Sequence, residues 1–246
     1  MKKISIFTLI LVLSISGQAV AQELTAVDVL KKVDVVLNAA KDQDLKMKIV
    51  LIDKNGKEKD REAVMLQKGS EKRMIKFLSP ADQKGIAFLD LPNDIMYLYL
   101  PAFKKVRRIA AHIKNQKFAG TDMTYDDLGT INYSEEYDPV FVEKNEQHFV
   151  LELTPKQGIK KDYSKLKIWV LKNNFFLEKM EFFDKGGNLW KKGEWREIEK
   201  NNNYWVAREI EFHDIKDDHR TKVILLEVKF DTGLKDEFFT PRYLKR

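Results

Sequence analysis

The sequence predicts a mainly β protein with helices, built on a strongly curved antiparallel sheet of about eleven strands that forms an incomplete barrel. Three observations predict it. From Leu45 onward apolar residues recur at every second position, as in Leu45, Met47, Ile49 and Leu51, with Lys46 and Lys48 facing the other way. Short turn signals separate the alternating runs: Asn55-Gly56, Lys68-Gly69-Ser70, Lys185-Gly186-Gly187 and Asn201-Asn202-Asn203. Clear helical spacing is confined to one N-terminal segment, so strand follows strand without the helix that a parallel crossover needs.

The first 21 residues read as a signal peptide. Lys2 and Lys3 precede an apolar run over 4–15, and Ala19-Val20-Ala21 forms an A-x-A processing site. The run is short for a membrane span, and no later apolar segment reaches 18 residues. The expectation is a soluble periplasmic protein in which 22–246 form a single domain. The chain has no Cys, which removes disulfides, thiol nucleophiles and a lipid-modifiable Cys behind the processing site. Its formal charge is +6, or +4 without Lys2 and Lys3, spread over alternating signs. That excess serves solubility and does not point to nucleic acid.

In chain order, Thr25 caps a helix over 26–40, with Asp28 near its positive end. Val29, Val33, Val36 and Leu37 make its apolar stripe, which needs a sheet to lie on. Strands follow around 45–51, 61–67, 73–78, 85–91 and 95–100, where Pro101 ends the run. Residues 112–130 lack alternation and form a long connection, of the kind that carries function or a short helix. Alternation resumes in seven strands between residues 140 and 231, and residues 236–244 form a brief helix or a tail on the sheet edge. A sheet curved this strongly encloses more volume than its side chains fill, which is a physical route to a ligand.

Catalytic signatures are missing. There is no H-E-x-x-H, no G-x-S-x-G and no phosphate-cradling glycine loop. His213 and His219 flank Asp214, Asp217 and Asp218 in what reads as an exposed acidic turn, with adventitious metal chelation as the alternative. Asp122, Asp126 and Asp127 are close enough in sequence for paired-carboxylate chemistry, but three acids in six residues more often cap loops or pair with cations. Trp190, Trp195 and Trp205 cluster late, as groove or as core. No enzyme and no cofactor is expected.

The most specified stretch is 95–129. An apolar strand turns at Pro101 into Lys104, Lys105, Arg107 and Arg108, and a polar loop then reaches Gly120-Thr121-Asp122 and Tyr125. Taken with KFLSPADQKGIAFL over 76–89, the segments LYLPAFKKVRRI over 98–109 and FAGTDMTYDDL over 118–128 resemble the exported outer-membrane lipoprotein-sorting protein family. That family is similar to the periplasmic lipoprotein carrier and its outer-membrane receptor, and the resemblance spans 24–246.

The resemblance implies a curved sheet covered by the N-terminal helix and a helical or loop lid, enclosing an apolar cavity for acyl chains. Without the anchoring Cys, the chain resembles the soluble carrier branch, with lipoprotein or another lipid as cargo and transient membrane-surface contact. The alternative it implies is an accessory protein that docks on an inner-membrane transporter of the resistance-nodulation-division type. Strand parity groups Met47, Ile49, Leu51, Met65, Ile75, Phe77, Phe88, Leu98 and Leu100 as candidate cavity walls. Lys104, Lys105, Arg107 and Arg108 are the candidate patch for head groups or a partner. Gly120, Thr121, Asp122 and Tyr125 are candidates for fixing the lid. Arg107 and Arg108 pairing with Asp122, Asp126 or Asp127, giving a salt-bridged lid, is a further arrangement the sequence allows.

Overall fold

The computed structural model describes residues 23–130 and 132–246; the expected signal peptide over 1–21 lies outside the described residues. The helix α1 (Ala26–Leu37) begins where the sequence places it. The Thr25 hydroxyl accepts from the Asp28 N–H at 3.1 Å, and the Asp28 carboxylate accepts from the Thr25 N–H at 3.0 Å. Two orphan donors of the first turn are thereby satisfied. The helix stops at Leu37, short of residue 40, where Asn38 caps it.

Six strands form a first antiparallel meander: β1 (Asp42–Ile52), β2 (Glu58–Lys68), β3 (Lys72–Ser79), β4 (Ala87–Leu91), β5 (Ile95–Leu100) and β6 (Lys105–Arg108). Seven form a second: β7 (Tyr137–Lys144), β8 (His148–Pro155), β9 (Lys165–Leu171), β10 (Leu177–Phe183), β11 (Leu189–Asn201), β12 (Tyr204–Asp214) and β13 (His219–Phe230). The meanders join where β1 pairs with β13, so the open, curved half-barrel runs from β6 inward to β1 and then from β13 outward to β7. The sheet has thirteen strands rather than about eleven. β6 is one the pattern hides, because four residues reading Lys-Val-Arg-Arg at a sheet edge carry no apolar alternation.

Since β6 and β7 are opposite edges, the chain between them crosses the sheet. It does so over the concave face, through α2 (Tyr125–Leu128) and α3 (Tyr133–Glu136). Phe118 of this crossing segment stacks on Phe77 with ring centroids 5.4 Å apart, and Met123 packs against the cores of both halves. Over the second meander the concave face is covered by Val29, Leu30 and Val33 of α1, packed with Leu151, Leu153 and Ile168.

The convex face of the first meander is covered as well. Leu234, Phe239 and Leu244 from the C-terminal tail bury against Leu66, Met74 and Leu89. The tail therefore lies on the outer face as two 3-10 turns, not on the sheet edge, because that face presents the alternate residues of β2, β3 and β4. Asp42 ties it down: its carboxylate accepts from the Thr232, Gly233 and Leu234 N–H groups at 2.7 to 3.0 Å and from the Thr232 hydroxyl at 2.8 Å.

Candidate functional site

Between the crossing segment, α1 and the central strands lies a cavity of about 280 Å³. Its inner wall is apolar: Met47 and Ile49 of β1, Phe77 of β3, Phe118, Phe212 of β12 and Val223 of β13. Its outer end lies where β1 starts and β13 ends, among the partly exposed Val36, Leu37, Trp205 and Phe230. Of the candidate wall residues, Met47, Ile49, Met65, Ile75 and Phe77 line this cavity. Leu51, Phe88 and Leu98 lie on the same face but belong to the filled core beneath the crossing segment, where Phe88 packs on Phe118 and Tyr125. Leu100 ends β5 on that same face, beyond the cavity. Trp195 and Trp205 line the cavity, whereas Trp190 donates its indole N–H to Asp214 at 3.0 Å.

The crossing segment is pinned along its length. Ala119 and Gly120 turn with φ of 48° and 76°, and the Ala119 carbonyl accepts from Arg61. Thr121 is wholly buried, its hydroxyl donating to the Phe118 carbonyl at 2.8 Å. Asp122, also buried, accepts from the Thr221 hydroxyl at 2.8 Å, and its own N–H donates to that oxygen at 2.9 Å. His219 Nδ1 lies 2.7 Å from the Asp122 carboxylate, so this histidine is a partner of the crossing segment rather than part of a free acidic turn. Lys117 bridges Asp122 at 3.4 Å, Asp214 at 2.9 Å and Asp217 at 2.5 Å. Burial opposes both charges of the Lys117–Asp214 pair, yet their contacts prevail: Lys117 is held above the ordinary lysine range and Asp214 below the usual carboxylate range.

Asp127 caps α2 by accepting from the Thr124 N–H at 2.7 Å, and takes further bonds from the Tyr163 hydroxyl and from Lys191. The Lys191 ammonium sits within a ring of four aromatic side chains, 4.6 Å from the Phe182 centroid and 5.1 Å from that of Tyr163. Asp126 pairs with Lys161 at 3.1 Å, and burial still holds its carboxyl above the usual range. The three acids are thus paired with Lys117, Lys191 and Lys161, and the bridge to Arg107 or Arg108 does not form. The arginines sit on the edge strand β6, whereas Asp122 is bonded to Thr221 of β13 and Asp127 to Lys191 of β11.

The basic turn is exposed at the end of the sheet opposite the outer end of the cavity. Lys104, Lys105, Arg107 and Arg108 are all exposed, and Arg107 lies over the exposed Phe103 ring at 5.9 Å. Pairing of Leu98 with Arg107 and of Tyr97 with Arg108 places the two arginines on opposite faces. They do not form one patch.

Three polar residues were not singled out from sequence: Gln43, Gln67 and Arg73 all line the cavity. The usable signal was parity, since Gln43 alternates with Leu45, Gln67 with Met65 and Arg73 with Ile75. Arg73 donates to the Leu128 and Gly129 carbonyls at 3.1 and 2.7 Å and to Gln67 Oε1, fixing the far end of the crossing segment. Across from it, Asp90 accepts from the Thr130 N–H at 2.7 Å.

The open, curved half-barrel is a fold that known structures share. The chain is similar to an outer-membrane lipoprotein-sorting protein domain from Vibrio parahaemolyticus, with 28% identity and a TM-score of 0.76 over 83% of this chain and 92% of that one. A DUF1329 family protein from Desulfovibrio piger matches at 25% identity and a TM-score of 0.84, over 89% and 97%. A LolA superfamily protein from Nitrosomonas europaea shares the fold at 22% identity and a TM-score of 0.75, over 90% and 100%. A family model described as "Uncharacterized protein" matches residues 69–246, and the chain belongs to that family. No curated protein matches the chain.

Proposed function

We propose that this chain is a periplasmic carrier that shields the acyl chains of a lipoprotein or another lipid during transfer toward the outer membrane. The observation that carries this reading is the apolar cavity held open between the sheet and the segment that bridges it. Moving an acyl chain from a membrane into water costs about 0.8 kcal/mol per methylene, so a carrier must replace that apolar surrounding. Met47, Ile49, Met65, Ile75 and Phe77 supply it. The likeness to the Vibrio lipoprotein-sorting domain and the leader-like first 21 residues support the same reading. No covalent step is needed, and no residue is assigned a catalytic role. Among the described residues no helix is long and apolar enough to cross a membrane.

The crossing segment is fixed by buried bonds from Thr121 to Gly129, so entry and exit are assigned to the outer end, beside Val36 and Leu37 of α1. Leu51, Phe88, Leu98 and Leu100 then lie beyond the cavity on the same face and do not touch cargo. Gly120, Thr121, Asp122 and Tyr125 fix the bridge. The competing reading, an accessory protein on an inner-membrane transporter of the resistance-nodulation-division type, draws on the exposed basic turn far from the cavity.

Mature protein purified from periplasm, examined by native and denaturing mass spectrometry, separates the two. Carriage predicts co-purifying lipid that Ile49→Trp, which fills the cavity, abolishes. Lipid-free protein that takes up no added acylated cargo would transfer weight to the accessory role.

A further inference from the structure

The cavity wall contains one charge that, among the described residues, no carboxylate contacts directly. Of the two charged residues lining it, Asp127 is engaged by Lys191, Tyr163 and the Thr124 N–H. The other, Arg73, has no carboxylate within 4.0 Å among the described residues. Asp90 stands opposite it in register and its charge favours the Arg73 cation, but that carboxylate bonds the Thr130 N–H and hydroxyl at 2.7 and 3.0 Å rather than the guanidinium. Four of the five guanidinium N–H donors reach Gln67 Oε1 and the Leu128 and Gly129 carbonyls, which leaves one without a partner among the described residues. The Arg73 side chain is half-buried and lines the cavity. A half-buried cation with no carboxylate in direct contact is placed to make a charge-assisted bond to an anion entering the cavity.

Register makes this a row. Gln43, Gln67 and Arg73 are direct neighbours on β1, β2 and β3, and the next row inward is Leu45, Met65 and Ile75. The Gln43 amide has no hydrogen-bond partner among the described residues, and it is partly exposed. A polar, positive row therefore borders an oily interior at the cavity's outer end. That is the layout for an amphiphile whose head stops at the row while its tail runs inward. The cavity, about 280 Å³, lies just below the usual range of ligand pockets, roughly 300–1,000 Å³, and this favours one tail over several.

We infer that the cavity selects a single-chain amphiphile with an acidic head, a carboxylate or a phosphate monoester, held by Arg73 and Gln43. The inference rests on the carrier reading above and narrows its cargo.

The test is displacement of the neutral dye Nile red from the mature protein by palmitate, lysophosphatidate, dipalmitoyl phosphatidate and hexadecanol. One charge-assisted contact predicts that palmitate or lysophosphatidate displaces the dye at about ten-fold lower concentration than hexadecanol. Whichever acid is preferred identifies the head group, and the two-tailed phosphatidate displaces less well than its one-tailed counterpart. Arg73→Gln brings the acids to the hexadecanol level while the dye still binds. Because Arg73 also holds the backbone at Leu128 and Gly129, Gln43→Leu provides a variant that leaves those bonds intact, and it weakens the acids alone. Equal displacement by acids and alcohol, or an acid preference that survives both substitutions, overturns the inference and leaves the carrier reading standing. Phosphatidate as effective as lysophosphatidate overturns the single-chain requirement. Failure of the dye and of all four lipids to bind overturns the carrier reading and this one together.

Discussion

Lys191 on β11 donates to the carboxylate of Asp127 in the crossing segment, 64 residues earlier, and both side chains are withdrawn from solvent. The pair fastens the bridge to the sheet floor. Breaking one partner of a buried pair strands the other charge, at a cost of about 3–5 kcal/mol. Lys191→Met should therefore destabilise by that amount in urea unfolding. Lys191→Met combined with Asp127→Asn should recover much of it, since neither charge then remains. Costs that simply add in the double variant would show that the two residues do not act as a pair.

Acid should loosen the outer and inner anchors together. Burial would raise the Asp42 carboxyl, but the Thr232 hydroxyl and three backbone N–H groups outweigh it and hold the group below its ordinary value; Lys117 does the same for Asp214. A carboxylate whose folded value is depressed stabilises fully above its unfolded value, about 3.9, and that stability fades as pH falls through the folded value. Asp90, Asp126 and Glu136, raised by burial, act in the opposite sense and regain stability as pH falls through their elevated values. Asp42→Asn should lower the urea midpoint at pH 7 and flatten the decline that sets in as pH falls below the unfolded value of about 3.9. An acid limb identical to that of the parent protein would contradict the assignment.

Gly193 is a packing glycine. A methyl group added there would come within 3.1 Å of the Trp195 ring and 3.2 Å of the Phe212 ring, and both rings line the cavity. Gly193→Ala should cost about 1–3 kcal/mol by overpacking. It should also move Trp195, read as a shift in tryptophan emission and as weaker dye binding. Unchanged emission and binding would mean that the wall absorbs the methyl group elsewhere.

The basic turn is expected to serve association rather than folding. Arg107→Glu with Arg108→Glu alters two exposed side chains, so stability should change by no more than about 0.5 kcal/mol per substitution. The two arginines lie on opposite faces, so one of them meets a given anionic surface; at about 1 kcal/mol per unit of charge, reversing it should lower co-sedimentation with anionic vesicles by about ten-fold or more. Undiminished co-sedimentation would remove membrane contact from the roles of this turn.

Much of the sheet was legible because alternation and turn chemistry are local. Leu45 to Leu51 state their face in seven residues, and Asn55-Gly56 states its turn in two. The crossing segment was legible as irregular and as compact around Gly120-Thr121-Asp122, but its partners were not. Lys191, which looks like a surface lysine in Trp-Lys-Lys-Gly, meets Asp127 only through tertiary pairing, and nothing in the spacing singles it out from Lys192. The cavity divides the same way. Parity found Met47, Ile49 and Ile75, whereas which of their neighbours face open space and which face Phe118 depends on how the bridge lies.

The seam between β1 and β13 joins strands separated by most of the polypeptide. Neither meander can complete the sheet alone, and β1 keeps an unsatisfied side until the last strand is made. Pairings this distant in sequence close slowly. A ribosome would have to release nearly the whole chain before the two halves of the sheet could join.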